Sequence, residues 1–419
     1  MTLISACPST DCSVSRLLLA SAIILPSLVM SAATGISAAG QLAASSSTRC
    51  INLWCACWGC CCIVSDIIAL GMSQIATKVE LKQILAKVQG DLDSLEHRLL
   101  NEISPKSRAL CGILQDVFKA GGKRARPAIC FLVYQALKSD LQAQYSEQEL
   151  DERFKEKIFL IAEISELIHT ASLVHDDIID NSFVRRSMPT PNSKWDNAIT
   201  VISGDFMFAR AAVNLAKLDC NEVVEIYAAV LEALCDGEIE QVEKKFDTES
   251  WDYYFSKSYK KTASLFEACA RSVPALLMRG GIQISEETKQ NLSDYGKNLG
   301  MAFQLVDDIL DYSSDAETLG KPAGSDLKEG QVTLPLLYAL EENHDKLQSL
   351  VREVAGGDAD EDKLSELVSI VLDSGAIEKS FAKSDEYLQA AKSNLSVLEE
   401  SEYKESLVDL LEFIKIRAS

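Results

Sequence analysis

The chain carries the stretch Asp176-Asp177-Ile178-Ile179-Asp180 and repeats its pattern at Asp307-Asp308-Ile309-Leu310-Asp311. In an α-helix, the first and last aspartates of each pentad lie one turn apart on the same face, where like charges repel each other. Hard divalent cations relieve such repulsion, and Mg²⁺ is usually held by one or two carboxylates together with substrate phosphates. The alternative is two solvated acidic faces, but both pentads follow apolar stretches, at 168–174 and 299–306. We therefore expect both pentads to bind one Mg²⁺–diphosphate cluster.

From Met72 onward the chain follows a helical pattern. Apolar residues recur at spacings of three and four, as at Leu81, Ile84, Leu85 and Val88, without the alternation that is typical of β-strands. Breaks fall at Gly-rich or Pro-rich positions, namely 121–122, 187–192, 280–281 and 320–324. Repeats of the kind that would indicate a solenoid are missing. The sequence predicts one all-α domain over residues 72–419.

Residues 1–71 differ in composition from the rest of the chain. No charged residue occurs between Arg16 and Arg49, and Ser and Ala are abundant. The apolar stretch at 17–33 is typical of a secretory signal, and the acid-poor continuation is typical of an organellar transit segment. We expect a targeting segment at 1–71, disordered or removed, that directs the protein to a plastid, with the mitochondrion as the alternative. A signal anchor and a translation start near Met72 are alternative interpretations.

Charge and cysteine content limit the partners and the compartment. With 41 basic and 62 acidic residues, the net charge of −21 argues against nucleic acid as a partner. Eight of the 13 cysteines precede residue 63, and a CxxC-like spacing among them lacks the second cluster that a zinc site requires. The remaining five are spaced singly, as expected of buried free thiols in a reducing compartment: Cys111, Cys130, Cys220, Cys235 and Cys269.

Cationic residues occur where an anion could bind. Lys123 and Arg126 follow a glycine turn and can converge on an anion near a helix start, with Pro127 favourable at the first helical position. A solvated loop is the alternative. Arg185 and Arg186 follow the first pentad and can each bind a different phosphate group, although ion pairs with neighbouring acids would explain them equally well. Further cations and donors are Lys261, Thr262, Gln304, Lys321 and Lys328.

The region around the first pentad, residues 166–186, closely resembles the trans-isoprenyl diphosphate synthases, or polyprenyl synthetases. Segments 204–208, 261–265 and 299–311 resemble the same family, in order and at the family's spacing, from about residue 80 to the C-terminus. The segment 319–328 is most similar to long-chain solanesyl-type synthases of plastids and cyanobacteria. The resemblance implies a large helical bundle of the isoprenoid synthase type around a central cavity, and a homodimer.

The resemblance also implies roles for individual residues. The six aspartates of the pentads would be catalytic, and Mg²⁺, as three ions, would be held by Asp176, Asp177, Asp180, Asp307 and Asp311, with Asp308 beside them. The allylic diphosphate would be bound by Arg185, Lys261, Thr262, Gln304, Lys321 and Lys328. Isopentenyl diphosphate would be bound by Lys123, Arg126, His169 and Arg186. Departures from the family pattern affect loops rather than ligands, at Asn181, Phe183, Ser187, Pro191 and Asp196.

The implied reaction is condensation of isopentenyl diphosphate onto an allylic prenyl diphosphate. Cations would stabilise the leaving diphosphate while the second substrate is held beside the allylic carbon. Short-chain members of the family block the product path with aromatic side chains, whereas Ala171 and Ser172 are small here. We therefore expect a long all-trans product of about C40–C50, with solanesyl length favoured, for quinone side chains. Such an apolar product would also allow peripheral membrane contact.

Three other functions share part of this pattern. A geranylgeranyl-type synthase would make a shorter product. A terpene cyclase also ionises an allylic diphosphate but needs no second-substrate site, so Lys123, Arg126 and His169 argue against it. A non-catalytic partner subunit of this family typically lacks one pentad, and this chain keeps both.

Overall fold

A computed structural model describes residues 81–101, 107–119, 121–185, 188–313, 323–355 and 361–417. The predicted targeting segment at 1–71 and the domain boundary at residue 72 lie outside these residues. The α-helices are α1 (Gln89–Asn101), α2 (Arg108–Lys119), α3 (Ala125–Asp140), α4 (Glu147–Leu150), α5 (Glu156–Ile179), α6 (Pro191–Lys194), α7 (Asn197–Lys217), α8 (Asn221–Glu243), α9 (Trp251–Ser258), α10 (Ser264–Arg279), α11 (Glu286–Ser313), α12 (Ser325–Lys328), α13 (Leu334–Ala355), α14 (Glu361–Asp373), α15 (Ala376–Asn394) and α16 (Glu402–Ile416).

Short irregular helices and one small ladder complete the described elements. Turns of 3₁₀-helix occupy Leu85–Val88 and Leu395–Val397, and π-helical turns occupy Asp151–Lys155 and Tyr259–Ala263. The strands β1 (Val184–Arg185) and β2 (Met188–Pro189) form an antiparallel pair in which Val184 lies opposite Pro189. Among the described residues this pair is the whole of the β-structure, so the predicted all-α fold class is confirmed.

The central helix of the bundle is α5. It is buried on nearly all sides, because apolar residues occupy every face of its first five turns. It packs against α3, α7 and α10 within the larger of two apolar cores. The second core joins α11 to α13 and α14. The first pentad therefore stands at the end of a helix whose position is set by packing along its whole length.

Glycines on α11 bring the second pentad close to the rest of the bundle. A Cβ atom at Gly296 would lie 2.5 Å from the carbonyl oxygen of Phe266, and one at Gly300 would lie 2.6 Å from the Cα of Ala263. Only glycine fits at these two positions, so α11 lies directly on α10 and on the π-helical turn at Tyr259–Ala263. The close packing fixes the helix that carries the second pentad.

The glycine turn at 121–122 differs in detail from the expectation. Helix α3 begins at Ala125, so Pro127 is its third residue rather than its first. Arg124, which precedes the helix, has a φ of 49° in the left-handed region. Of the five singly spaced cysteines, Cys130, Cys220 and Cys269 are buried free thiols as predicted, whereas Cys111 is half-buried and Cys235 is exposed.

Two described helical stretches are long and apolar enough to span a membrane by length and composition alone. They are Glu147–Ile179 and Asn197–Lys217. The most apolar window of the first is 78% buried inside the protein, as a core helix of a globular bundle would be. The corresponding window of the second is 39% buried, so α7 keeps an exposed apolar face.

Candidate active site

A cavity of about 1070 Å³ opens at the pentad-bearing ends of α5 and α11. Asp176 and Asp180 line it from the first pentad, and Asp307 and Asp308 line it from the second. Both acidic pentads therefore meet at a single cavity. The predicted diphosphate-binding residues that line the same cavity are Lys123, Arg126, His169, Arg185, Lys261, Thr262 and Gln304.

The cavity-facing aspartates of the first pentad carry charge that burial makes costly. Burial raises the pKa of Asp176 to about 6 and also raises the pKa of Asp180. The cations Lys261 and Arg185 oppose both increases. Glu238 on α8 raises the pKa of both aspartates further, because it places another negative charge nearby. The site thus holds several carboxylates that a bound cation would stabilise.

The second aspartate of the first pentad, Asp177, does not line the cavity. Asp177 is 2% exposed, and its Oδ1 accepts a hydrogen bond from Nε of Arg185 at 2.7 Å. The helical displacement of about 100° from Asp176 accounts for this direction. Asn192 donates to the backbone oxygen of Asp177 at 3.1 Å, which ties the turn after α5 to the start of α6. Asp177 therefore anchors Arg185 at the cavity wall.

Lys261 is held between two helices. Its ammonium forms an ion pair with Glu238 at 2.5 Å and donates to Oε1 of Gln241 at 2.8 Å. It lies in the π-helical turn Tyr259–Ala263, a distortion that is frequent at functional sites. The hydroxyl of Thr262, the next residue, donates to Oε1 of Gln304 at 2.5 Å, which joins this turn to α11.

The second pentad is fixed mainly by neutral donors. Asp308 is 3% exposed and accepts from the hydroxyl of Tyr254 at 2.6 Å and from the amide of Gln304 at 2.7 Å. Burial raises the pKa of Asp308 to about 6, even though the nearby ammonium of Lys257 and these two donors stabilise its charged form. Asp311 accepts from the hydroxyl of Ser325 at 2.6 Å and from the backbone N–H of Asp326 at 3.2 Å.

Asp307 has a charged partner instead. Its Oδ1 accepts from the guanidinium of Arg417 at 2.9 Å, and that guanidinium also lies over the ring of Phe303, 5.1 Å from its centroid. Burial raises the pKa of Asp307, whereas Arg417, Lys123 and Arg126 favour its charged form. Asp307 therefore lies beside the cations that sequence analysis assigned to the second substrate.

Those cations are oriented by aromatic rings. The ammonium of Lys123 lies 5.4 Å from the centroid of Phe413, and the guanidinium of Arg126 lies 4.5 Å from that of Phe266. Such contacts attract a cation to the face of a ring and so help to orient it. His169 lines the cavity from α5, two turns before the first pentad. Together these residues form a cationic wall on the side of the cavity next to α3.

The two residues predicted to determine product length lie directly beneath the first pentad. Ser172 lines the cavity, and Ala171 is fully buried. Across from them the rings of Phe266 and Phe303 lie with centroids 5.6 Å apart and form an apolar part of the wall. An apolar chain entering from the pentads would therefore meet Ser172 on α5, with Ala171 buried behind it, and aromatic side chains on α10 and α11.

The structure separates the predicted residues into three groups. Most line the cavity, as described above. Asp177, Asp311 and Ala171 are buried behind its wall, and Lys328 is exposed at the end of α12 without lining it. Arg186 and Lys321 lie outside the described residues.

Several residues in or behind the cavity wall were not predicted from the sequence, and four of them contact predicted site residues or lie beside them. Lys257, which is 8% exposed and donates to Gln331 at 2.9 Å, lies one turn before Lys261, so helical spacing could have identified it. Burial lowers its pKa. Glu238, Tyr254 and Arg417 reach the site from α8, α9 and the end of α16. Their roles depend on helix packing, for which one sequence offers no signal.

Comparison with known proteins identifies the family. A family model described as polyprenyl synthetase matches residues 107–371, more than half of the chain. A prenyl transferase of Synechocystis is 39% identical over 338 residues, which cover 80% of this chain and 98% of the relative. Solanesyl-diphosphate synthase 2, chloroplastic, of Oryza sativa subsp. japonica is 36% identical over 346 residues, covering 81% of each chain.

Solved structures agree with the sequence comparisons. The polyprenyl synthase of Caulobacter crescentus, complexed with calcium and isoprenyl diphosphate, aligns with a TM-score of 0.71 at 28% identity and covers 81% of this chain and 98% of its own. A decaprenyl diphosphate synthase of Rhodobacter capsulatus aligns with a TM-score of 0.71 at 27% identity, and the alignment covers 81% of this chain and 99% of the synthase. The resemblance found in the sequence is confirmed: the chain belongs to the polyprenyl synthetase family, a family of prenyl-transferring enzymes.

Proposed function

We propose that this protein condenses isopentenyl diphosphate onto an allylic prenyl diphosphate and so makes a long-chain all-trans-polyprenyl diphosphate, with solanesyl length favoured. The observation that carries the proposal is the meeting of both pentads at one cavity that also has a cationic wall. Similarity to solanesyl-diphosphate synthases supports the long product. A cavity with cations on two sides suits two diphosphates better than one, which favours condensation over cyclisation.

The donor set fits Mg²⁺. Asp176, Asp180 and Asp307 present carboxylate oxygens to the cavity, and carboxylates are the ligands that this hard cation takes most readily. Asp177 and Asp311, the other two predicted ligands, do not line the cavity in this structure and accept hydrogen bonds from Arg185 and Ser325. The calcium in the Caulobacter crescentus structure supports a divalent cation here. Mg²⁺, bound as three ions, would supply positive charge to the leaving diphosphate.

The chain's own residues would bind and orient the two substrates. Arg185, Lys261 and the hydroxyl of Thr262 lie next to the first pentad and would bind the allylic diphosphate, with Gln304 beside them. Lys123, Arg126 and His169 would bind isopentenyl diphosphate on the other side, with Arg186 as the fourth predicted ligand. Holding the two substrates in contact is itself a large part of the rate enhancement. Phe266 and Phe303 would exclude water from the reacting carbon atoms.

The direct test is turnover. Residues 72–419 are incubated with Mg²⁺, labelled isopentenyl diphosphate and geranylgeranyl diphosphate, and the products are separated by chain length. We expect a ladder of elongated polyprenyl diphosphates that ends near solanesyl length. A cyclic hydrocarbon would indicate a terpene cyclase, and no turnover by a folded chain would indicate a non-catalytic partner subunit.

Product length has its own test. In Ala171→Phe, a large ring on the α5 wall beneath the first pentad would block the path of the growing chain, so we expect a shorter product. Ala171→Ser is the matched control, because it keeps the side chain small. Insertion of a ring into a buried site costs about 1–3 kcal/mol, so the melting temperature is measured alongside. An unchanged product length in folded Ala171→Phe would refute this placement of the tunnel.

We also propose a homodimer that forms through α7 and α8. Each of these helices exposes large apolar side chains at helical spacing along one face: Ile199, Ile202, Val213, Val224, Ile239 and Val242. Burial of both faces against a second copy would remove them from water. Light scattering should give twice the chain mass for the wild type. Ile202→Glu together with Ile239→Glu should give a monomer, and a wild-type monomer would contradict the proposal.

A plastid location is proposed from the chloroplastic relatives together with the composition of residues 1–71. The product would then serve as a quinone side chain, and its apolar chain would draw the enzyme to a membrane surface. A fluorescent fusion of residues 1–75 is expected to accumulate in plastids, and mitochondrial fluorescence would support the alternative organelle.

A further inference from the structure

Two carboxylates on α8 form neighbouring ion pairs with two adjacent lysines. Glu238 pairs with Lys261 at 2.5 Å, and Glu240 pairs with Lys260 at 2.7 Å. Both lysines lie in the π-helical turn Tyr259–Ala263. Only Lys261 lines the cavity, so the two pairs have the same chemistry but different positions relative to the site.

Gly237 brings α8 onto the lysine turn. A Cβ atom at this position would lie 2.9 Å from Cγ of Lys261 and 3.0 Å from Cβ of Lys260. The backbone of α8 therefore rests directly on the aliphatic part of Lys261, and Glu238, the next residue, meets the ammonium group at the end of that side chain. Gln241, one turn further along α8, accepts a second hydrogen bond from the same ammonium at 2.8 Å.

Lys261 pairs with Glu238 and lines the same cavity as Asp176 and Asp180. The ammonium lowers the pKa of both Asp176 and Asp180, and Glu238 raises both, so all four groups interact electrostatically. If Lys261 lost its partner on α8, Asp176 and Asp180, which line the same cavity, would be alternative partners for its ammonium. An ammonium bound there would occupy oxygens that a divalent cation needs.

We propose that Glu238 is a positioning residue that keeps the ammonium of Lys261 away from Asp176 and Asp180. The aspartates then remain available to Mg²⁺, and the ammonium stays directed at the diphosphate. This inference rests on the proposed function, because it assigns both groups to the same substrate complex. It predicts that loss of Glu238 weakens metal binding through Lys261, and not through the lost negative charge alone.

The test measures binding without turnover. Mg²⁺ is titrated into the protein with inorganic pyrophosphate present, and binding is followed by calorimetry and by the rise in melting temperature. We expect Glu238→Gln to raise the half-saturating Mg²⁺ concentration about tenfold, a difference of roughly 1.4 kcal/mol in binding free energy. The control Glu240→Gln removes the neighbouring ion pair from the same helix and should stay within about twofold of the wild type.

A double-mutant cycle separates positioning from simple charge. In the Lys261→Gln background, Glu238→Gln should cause no further loss of Mg²⁺ binding, because no ammonium remains to compete. Glu238→Asp should restore part of the wild-type affinity. A loss that persists without Lys261, or a Glu238→Gln variant that behaves like Glu240→Gln, would overturn the inference.

The proposed function is judged separately, by elongation with the wild type. If the wild type elongates its substrates while the cycle shows no coupling between Glu238 and Lys261, only the inference fails. If the coupling is present but the wild type makes no product, only the proposed function fails.

Discussion

The two pentads differ in how the protein neutralises them. The first lies at the end of α5, with Asp180 as the residue that follows the helix, and its neighbours are the cations Lys261 and Arg185. The second lies within α11, and its buried members accept hydrogen bonds from the neutral donors of Tyr254, Gln304 and Ser325. Asp307, the second pentad's remaining aspartate, pairs with Arg417. Near-identical sequence motifs thus both have a charged partner, and only the second adds neutral donors to its two buried aspartates.

This difference indicates two kinds of metal site. Neutral hydrogen bonds keep a carboxylate in position without cancelling its charge, so Asp308 and Asp311 are preorganised, whereas Asp307 is held by its ion pair with Arg417. Ion pairs must be rearranged when a cation or a diphosphate arrives, so the first pentad adapts as the substrate binds. The allylic diphosphate, which brings its own charge, would be the ligand that drives the rearrangement.

The largest effect is expected at a cavity-facing aspartate of the first pentad. Asp176→Asn removes a proposed metal ligand and should reduce kcat by about 10²–10³-fold, the range typical of losing one electrostatic contact to a transition state. The metal-free melting temperature should be unchanged or higher, because burial makes the charge of Asp176 unfavourable. Asp252→Asn, at an exposed position on α9, is the control. Full activity in Asp176→Asn would remove the first pentad from the mechanism.

A smaller effect is expected where the second pentad depends on a neutral donor. Tyr254→Phe leaves the buried carboxylate of Asp308 without one hydrogen bond, which should lower the free energy of unfolding by about 1–3 kcal/mol. We also expect kcat to fall roughly tenfold, since Asp308 loses its fixed orientation. Tyr259→Phe removes a similar bond, to Glu267 outside the cavity, and should leave kcat unchanged. Equal kcat for both variants would show that the hydroxyl only stabilises the fold.

The pH dependence of stability tests whether burial makes the charge of Asp176, in the first pentad, unfavourable. The pKa of Asp176 is raised by burial from 3.8 to about 6, so the folded state holds its proton more tightly than the unfolded state. The stability that the folded protein gains from protonated Asp176 is therefore fully present below about pH 4 and is lost as the pH rises through 6. Relative to the wild type, metal-free Asp176→Asn should lose less stability between pH 5 and pH 7. Parallel melting-temperature curves for the two proteins would contradict this assignment.

The smallest effect is expected at Lys328. The sequence places it among the ligands of the allylic diphosphate, but the structure leaves it exposed at the end of α12 and outside the cavity lining. Lys328→Gln should therefore change KM for the allylic substrate by less than about twofold, whereas Lys261→Gln should change it by about tenfold. A large effect at Lys328 would mean that this part of the chain reaches the substrate in the loaded enzyme.

The sequence was informative wherever a role follows from helical spacing. It predicted the all-α fold, the meeting of the pentads at one cavity and most of the cations that line it. Where a role depends on packing between helices distant in the chain, it was silent. The bond from Tyr254 to Asp308 and the contact of Gly237 with Lys261 belong to this second class. The pairing of Arg185 with Asp177 does not, because the sequence already offered an ion pair with a neighbouring acid as the alternative for Arg185. Periodicity indicates which face of a helix is buried, and it does not indicate which helix covers that face.

The central claim is that both pentads bind one diphosphate through shared divalent cations. The most direct measurement is anomalous scattering from crystals grown with Mn²⁺ and a non-ionisable allylic thiodiphosphate. The account predicts metal peaks within ligand distance of Asp176 and Asp180 on one side and of Asp307 on the other, all contacting the same diphosphate. Metal at only one pentad, or a diphosphate bound away from both, would contradict it.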